Sequence, residues 1–231
     1  MRALTLISRR ALALATLAPL ALLLAGCGDS STAGVGGEGT GGFGAVGRVD
    51  GFGSTIVEGR RLDDRDARIT LDGAAAPLTA IKLGTQLALQ AEGERLLMAN
   101  VEAEVIGPLA ADLMEDRGEF TVLGQRVVIG GHPALAPVLE GVTDLLAGTQ
   151  VEVHGLRRAD GAIVPTRIQV RAPSLATVRL RGTVAALDTT ARRFRIGDLT
   201  VNYAGAALAP AGSTLANGRS VTLTAPRSAL A

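Results

Sequence analysis

An internal repetition constrains this chain of 231 residues more than any other feature of its sequence. After residue 44, three short landmarks recur in the same order three times. One landmark has a glycine at 84, 148 and 218, and its copies are LGTQLAL, AGTQVEV and NGRSVTL. The other two begin near Val46, Ile106 and Arg181, and near Thr55, Phe120 and Phe194. A repeat of about 60–70 residues predicts a small folding unit that is used three times.

The landmarks have the alternation of β-strands. Residues 150–155 and 167–171 alternate polar and apolar side chains with a period of two, and the charges of the second run are expected to face solvent. Asp72-Gly73 and Asp160-Gly161 lie between apolar runs, where tight hairpin turns are expected. No stretch after residue 44 keeps a helical period over three turns. The sequence therefore predicts an all-β fold of tandem small OB-like β-barrels.

The landmarks divide the folded part into three repeats, at 45–105, 106–173 and 174–231. In the first two repeats the strand after the shared glycine is followed by one more strand. Only eight residues follow Leu223, so the third repeat has no counterpart of that last strand. Either its barrel is open on one edge, or another segment fills the gap.

The N-terminus has the pattern of an export signal. Residues 1–26 combine a basic start with an uncharged run that is too short to span a membrane. Leu24-Ala25-Gly26-Cys27 resembles the bacterial lipobox, in which the cysteine is lipid-modified and becomes the new N-terminus. Residues 27–44 are rich in glycine and predict a flexible linker. We therefore expect a lipoprotein anchored in the bacterial cell envelope, with the outer membrane favoured because Gly28 follows the cysteine.

Composition narrows the function further. The formal charge of the chain is +1, but the 26-residue signal carries three arginines, so the remainder has 20 basic and 22 acidic side chains. This balance gives no overall attraction to nucleic acid. The chain has one cysteine, which excludes a disulfide scaffold and a cysteine-based zinc site.

Few residues are candidates for catalysis. The two histidines, His132 and His154, lack metal-ligand spacing and are expected to be structural or exposed. The acidic run Asp63-Asp64-Arg65-Asp66 is balanced by its own arginines and is expected to be a solvated hairpin tip. Glu102 and Glu104 lie two apart and could form a glycosidase pair, but the pattern favours a solvent-facing strand. No metal or cofactor is expected.

A basic cluster in the third repeat is the one candidate ligand face. Its arginines are expected on adjacent strands, with Phe194 between two of them, and they are Arg179, Arg181, Arg192, Arg193 and Arg195. A basic surface with an aromatic residue on an OB-like module suits single-stranded nucleic acid or an acidic glycan. The scarcity of aromatic residues and the envelope location argue against nucleic acid. The alternative is a plain solvated face.

Several motifs together resemble a known family. They are Gly51-Phe52-Gly53-Ser54 with Val57-Glu58-Gly59, a Leu-x-x-Gly before a Val-rich strand, and Asp-Gly-x-Ile followed by Thr166-Arg167-Ile168. Across roughly residues 46–225 the chain is similar to a repeated bacterial envelope domain, the domain of unknown function numbered 5666, which lipoproteins of proteobacteria often carry. The resemblance implies small β modules and a secreted location, and it supplies no catalytic residues.

These observations predict a lipid-anchored, non-enzymatic envelope protein that is a scaffold or a ligand-binding array of small β modules. The expected partners are the membrane, through the lipid, and an envelope protein or polysaccharide. The alternative function is a hydrolase or binding protein that acts on an anionic envelope polysaccharide.

Overall fold

The computed structural model describes residues 3–5, 43–71, 73–111, 118–130, 137–141, 145–210 and 212–230. These residues form β-strands joined by turns, with two short 3-10 turns at Leu78–Ala80 and Arg227–Ala229 and no α-helix in the described ranges. The predicted all-β class is confirmed. The strands are β1 (Ala3–Thr5), β2 (Phe43–Gly51), β3 (Thr55–Val57), β4 (Arg60–Leu62), β5 (Arg68–Leu71), β6 (Ala74–Ala75), β7 (Gln86–Glu92), β8 (Arg95–Val101), β9 (Val105–Pro108), β10 (Glu119–Val122), β11 (Gln125–Val128), β12 (Val138–Glu140), β13 (Gln150–Arg157), β14 (Ile163–Val170), β15 (Thr177–Thr183), β16 (Ala185–Asp188), β17 (Arg193–Ile196), β18 (Leu199–Asn202) and β19 (Ser220–Pro226).

The first sheet is formed by the first predicted repeat alone. Its strand order is β4-β3-β2-β7-β8-β5-β6. Alternate residues of these strands point to one side and form a separate core, in which Leu62, Leu87 and Leu96 are among the most buried side chains. β5 and β6 pair antiparallel with Leu71 opposite Ala74, where a hairpin is predicted; Asp72 lies outside the described residues.

The second sheet joins the second and third predicted repeats. Its order is β10-β11-β14-β13-β9-β15-β19, and β12 pairs in parallel with β14. The first strands of the two repeats, β9 and β15, pair antiparallel, with Val105 opposite Leu180. One hydrophobic core accordingly contains side chains of both repeats, including Val151 and Ile168 from one and Leu180 and Ile196 from the other.

The third sheet is small and has the order β1-β18-β17-β16. β17 and β18 form a hairpin, and β1 pairs in parallel with β18 through Ala3 opposite Thr200 and Thr5 opposite Asn202. The residues of β1 lie within the segment that the sequence predicts to be an export signal.

The sheets are not closed into the predicted barrels. In the first predicted repeat, one end of the sheet approaches β8 at a single parallel bridge, between Asp63 just after β4 and Arg95. In the second repeat, β11 and β14 meet at one residue pair, Val127 with Ile163. The strands diverge beyond these points, so no continuous ladder forms. In the third repeat, no described strand pairs with the outer edge of β19.

The shared glycine has the same geometry in all three repeats. Its backbone φ is +80° at Gly84, +85° at Gly148 and +82° at Gly218, a region that favours glycine. Its N–H donates to the carbonyl of a residue in, or directly after, the first strand of the predicted repeat, and the N–H of that residue donates to the carbonyl of the residue after the glycine. These acceptor residues are Val49, Leu109 and Val184, and the six N···O distances lie between 2.8 and 3.0 Å.

A second recurrent feature is the hairpin of the third landmark. Two residues connect the strands in each copy, because Val57 pairs with Arg60, Val122 with Gln125 and Ile196 with Leu199. Both turn residues have positive φ in the first two copies, as hairpin turns of this length require.

Candidate functional site

Some predicted site residues lie outside the described residues. These are the lipobox residues Leu24, Ala25 and Gly26, the lipidation candidate Cys27, and His132. The structure provides a test of the remaining candidates, which all lie between residues 63 and 195.

The five arginines of the predicted ligand face are divided between two sheets. Arg179 and Arg181 lie on β15, which pairs with β9 and β19. Arg193 and Arg195 lie on β17, which pairs with β16 and β18, and Arg192 precedes them in a turn with φ of +52°. The expectation of adjacent strands is wrong, because β16 turns away from β15 after Thr183.

Phe194 is a core residue and offers no stacking surface. Only 4% of it is exposed, and its ring lies 5.8 Å from that of Tyr203. The pairing of Phe194 with Val201 places both on the buried face of the hairpin, whereas Arg193 and Arg195 on either side are exposed. The aromatic residue and the arginines therefore face opposite sides of the strand, as its period of two requires.

Arg179 and Arg181 belong to an ion-pair network with Glu102 and Glu104. Arg181 approaches Glu102 at 3.3 Å and Glu104 at 4.0 Å, and Arg179 approaches Glu102 at 3.6 Å. Burial, and secondly the charge of Arg181, lower the pKa of Arg179 to about 10. The prediction that the glutamates form a solvent face is wrong. They lie in the connection between β8 and β9, against β15.

Arg157 is the centre of this network. Its Nε donates to Glu104 at 2.8 Å, and one Nη donates to the Gln125 side chain at 3.0 Å and to the Gly161 carbonyl at 3.3 Å. Its other Nη donates to the Arg181 carbonyl. The Arg157 guanidinium thus connects β13 to the hairpin of β10 and β11 and to β15. Its role is to position these strands relative to one another.

His154 is buried, with 1% exposed, and both ring nitrogens face hydrogen-bond acceptors. Nδ1 lies 3.1 Å from the Glu102 carbonyl, and Nε2 lies 2.8 Å from a carboxylate oxygen of Glu152. Burial opposes ionisation of Glu152, but the hydrogen bond and charge of His154 and the charges of Arg171 and Lys82 outweigh it, so the pKa of Glu152 is lowered. A structural role for His154 was one of the two expectations from the sequence.

The acidic run at residues 63–66 is neutralised locally. Arg65 bonds to Asp63 at 2.6 Å, and this hydrogen bond lowers the pKa of Asp63 to about 2. Asp64 accepts hydrogen bonds from the backbone and hydroxyl of Thr55. Within the described ranges, no group of three His, Cys, Asp or Glu side chains has the geometry of a metal site.

A cleft of about 490 Å³ lies beside the network, on the face of β15 and β19 that points away from the core. Pairing of Arg179 with Thr224, and of Arg181 with Thr222, puts guanidinium and hydroxyl groups on this face. An adjoining hollow of about 410 Å³ shares Arg171 and Leu175 with it. The cleft is lined by Gly73, Glu102, Ile106, Arg171, Leu175, Thr177, Arg179, Thr222 and Thr224.

Of the cleft residues, sequence reasoning singled out Arg179 as a ligand-face candidate and Glu102 as one of a possible carboxylate pair, and it missed the rest. Thr222 and Thr224 alternate with Val221 and Leu223, so the period of two could have placed them on the polar face. Arg171 ends a run whose charges were expected to face solvent. No sequence signal shows that residues of three different repeats meet at this face.

Comparison with known proteins gives one result. The family described as Domain of unknown function (DUF5666) matches residues 106–169, which lie within the second predicted repeat. The resemblance over that segment is confirmed, and over the other two repeats it stays a prediction. No curated protein and no solved structure matches the chain. Among the described residues, the structure contains no helix with the length and apolar character needed to cross a membrane.

Proposed function

We propose that this chain is a lipid-anchored, non-enzymatic protein of the bacterial cell envelope, built from three tandem β modules that form a ligand-binding array. The lipobox-like sequence at residues 24–27 and the linker after it support the anchor. The repeated glycine geometry at residues 84, 148 and 218 supports the tandem modules. On this proposal Cys27 carries the lipid, and β1 belongs to the precursor and leaves with the export signal.

The cleft beside β15 and β19 is the observation that carries the binding function. It combines the guanidinium groups of Arg171 and Arg179 with three threonine hydroxyls and the Glu102 carboxylate, which Arg179 and Arg181 neutralise, and its volume is in the range of small-molecule sites. Guanidinium groups bind carboxylate, sulfate and phosphate groups through charge-assisted hydrogen bonds. The adjoining hollow lengthens the cleft, which suits a chain of acidic sugars more than a single compact anion. The proposed ligand is an anionic envelope polysaccharide.

The binding proposal is tested by co-sedimentation and titration of the protein with acidic polysaccharide, and with neutral dextran for comparison. Arg171 is the variant position because it lines the cleft and is half-exposed. Arg193 is the matched control because it is exposed and lies on a different sheet. We expect R171Q to weaken binding about tenfold, as the loss of one charged hydrogen bond predicts, and R193Q to leave it unchanged.

Equal affinity for dextran and acidic polysaccharide, or equal losses in R171Q and R193Q, would refute the site. Cleavage of the polysaccharide by the purified protein would favour a hydrolase instead. The anchor is tested separately with Cys27→Ala, which should leave the chain unprocessed and free of the lipid. If C27A fractionates with the membrane as the lipid-modified wild type does, the anchor is contradicted.

A further inference from the structure

Among the described residues, the outer edge of β19 lacks the neighbour that the equivalent strands have. β7 pairs with β2 on one side and β8 on the other, and β13 pairs with β9 and β14 in the same way. β19 pairs with β15 over seven residues, and in the described part of the chain its other edge pairs with no strand. The edge is therefore available for an additional strand.

The hydrogen bonds of β15 define which residues face this edge. The Val184 N–H donates to the Arg219 carbonyl at 2.9 Å, and the Arg227 N–H donates to the Ala176 carbonyl at 2.7 Å. Bonded pairs alternate along an antiparallel ladder, so the backbones of Val221, Leu223 and Ala225 face β15. The N–H and C=O groups of Ser220, Thr222 and Thr224 point outward.

The other two repeats show what a closing strand must supply. Leu87 and Leu89 of β7 lie opposite Val101 and Ala99 of β8. In the second repeat, Val151 and Val153 of β13 lie opposite Val170 and Ile168 of β14. Counting from the shared glycine, these β7 and β13 positions correspond to Val221 and Leu223. The missing strand must be antiparallel to β19 and must place apolar side chains at alternate positions.

We propose that β19 of a second copy of this chain is that strand, so that the protein forms a symmetric dimer through this edge. A two-fold axis at Thr222 pairs Thr222 with its symmetry mate and Ser220 with Thr224, which are the residues with outward backbone groups. The same register puts Val221 opposite Leu223 of the other copy. Pro226, which has no N–H to donate, falls beyond the paired residues.

The part of the edge that pairs in this dimer, residues 220–224, lacks the features that prevent strand pairing. Natural edge strands carry charged residues, internal prolines or bulges. Residues 220–225 contain no charge and no proline, and the pairing of β19 with β15 continues without a register shift. Threonine at the two central outward positions favours extended backbone, and threonine pairs across strands are stabilising.

Cysteine cross-linking tests the register directly. In the proposed dimer the two Thr222 Cα atoms are about 5.5 Å apart, a distance that a disulfide spans. We expect Thr222→Cys in the full chain, isolated in detergent, to form a covalent dimer on mild oxidation. Thr190→Cys is the matched control, because Thr190 is exposed in the turn between β16 and β17, outside this edge. The wild type reports any background from Cys27.

Sedimentation velocity tests the dimer without a cross-link. Thr222→Pro removes the outward N–H of each copy and leaves the bonds to β15 in place. We expect it to weaken dimerisation about 30-fold, which corresponds to about 2 kcal/mol. A wild-type chain that is monomeric at every loading concentration overturns the proposal, as does equal cross-linking of T222C and T190C. Both outcomes are independent of polysaccharide binding in the cleft.

Discussion

Substitution of Gly84 by alanine is predicted to destabilise the protein far more than the same change at the equivalent glycines. All three shared glycines have φ near +80°, so alanine is strained equally at each. Their surroundings differ. A Cβ at Gly84 would lie 2.5 Å from the Thr166 carbonyl oxygen and 3.2 Å from the Arg167 Cβ, whereas a Cβ at Gly148 or Gly218 would meet nothing within 4 Å.

The size of the effect follows from this contact. Alanine at positive φ costs about 1–2 kcal/mol, and the smaller entropy of the unfolded alanine chain returns about 0.4–1 kcal/mol, so Gly148→Ala should cost about 1 kcal/mol. At Gly84 the added methyl meets backbone, which overpacking data put at about 1–3 kcal/mol. The hydrogen bond of 2.6 Å from the Thr166 hydroxyl to the Gly84 carbonyl is also disturbed. We expect Gly84→Ala to cost about 3 kcal/mol in total.

Urea unfolding followed by circular dichroism measures the difference. With a denaturant slope of about 2 kcal/mol/M, the midpoint of Gly84→Ala should lie about 1 M below that of Gly148→Ala. Gly218→Ala should behave like Gly148→Ala, because its site is equally open. Midpoints that agree for all three variants would show that the first repeat does not pack on Thr166 through Gly84, and would refute the contact.

The polar network gives two further predictions. Arg157→Met should lower the free energy of unfolding in urea by about 2–4 kcal/mol, because it leaves Glu104 and Gln125 without the Arg157 guanidinium. The control Arg158→Met removes an exposed ion pair with Asp160 and should lower it by less than about 1 kcal/mol. Equal losses in the two variants would contradict the role of Arg157. Because its pKa is lowered, Glu152 should stabilise the fold at neutral pH and lose this effect as the pH falls below 4.5, the ordinary pKa of a glutamate. The melting temperature of Glu152→Gln should therefore decline less than that of the wild type on acidification to about pH 3. Parallel declines of the two melting temperatures would disprove this stabilising role.

The local structure could be predicted from the sequence because it depends on neighbouring residues. The strands follow the alternation of polar and apolar side chains, as Gln150–Arg157 and Ile163–Val170 show. The positive φ of Gly73, beside the pairing of Leu71 with Ala74, and the positive φ of Gly84 follow from the conformational freedom of glycine in turns. These signals lie within a few residues of the structure that they determine.

The surroundings of the polar faces could not be predicted in this way. Alternation separates one face of a strand from the other, but it does not show whether the polar face meets water or another segment. Arg167 was expected to face solvent and is buried, with its guanidinium bonded to Glu140 and to the Leu83 carbonyl. The solvent face expected for Glu102 was wrong for the same reason, since Arg179 and Arg181 of the third predicted repeat lie against it. The prediction of closed barrels was wrong because closure requires pairing between strands that lie 30 residues or more apart in the sequence, such as β4 and β8.

The differences between the three predicted repeats, rather than their similarities, determine their contacts with one another. The three glycines have equivalent backbones, yet of the three only Gly84 is a position where an added Cβ would meet another predicted repeat. There, Thr166 and Arg167 donate to the carbonyls of Gly84 and Leu83. Gln125 likewise bonds to the Ile196 carbonyl of the third repeat at 2.8 Å. Apolar contacts favour burial without direction, whereas hydrogen bonds need a specific geometry. The polar side chains that differ between the predicted repeats therefore give the contacts between them a specific geometry.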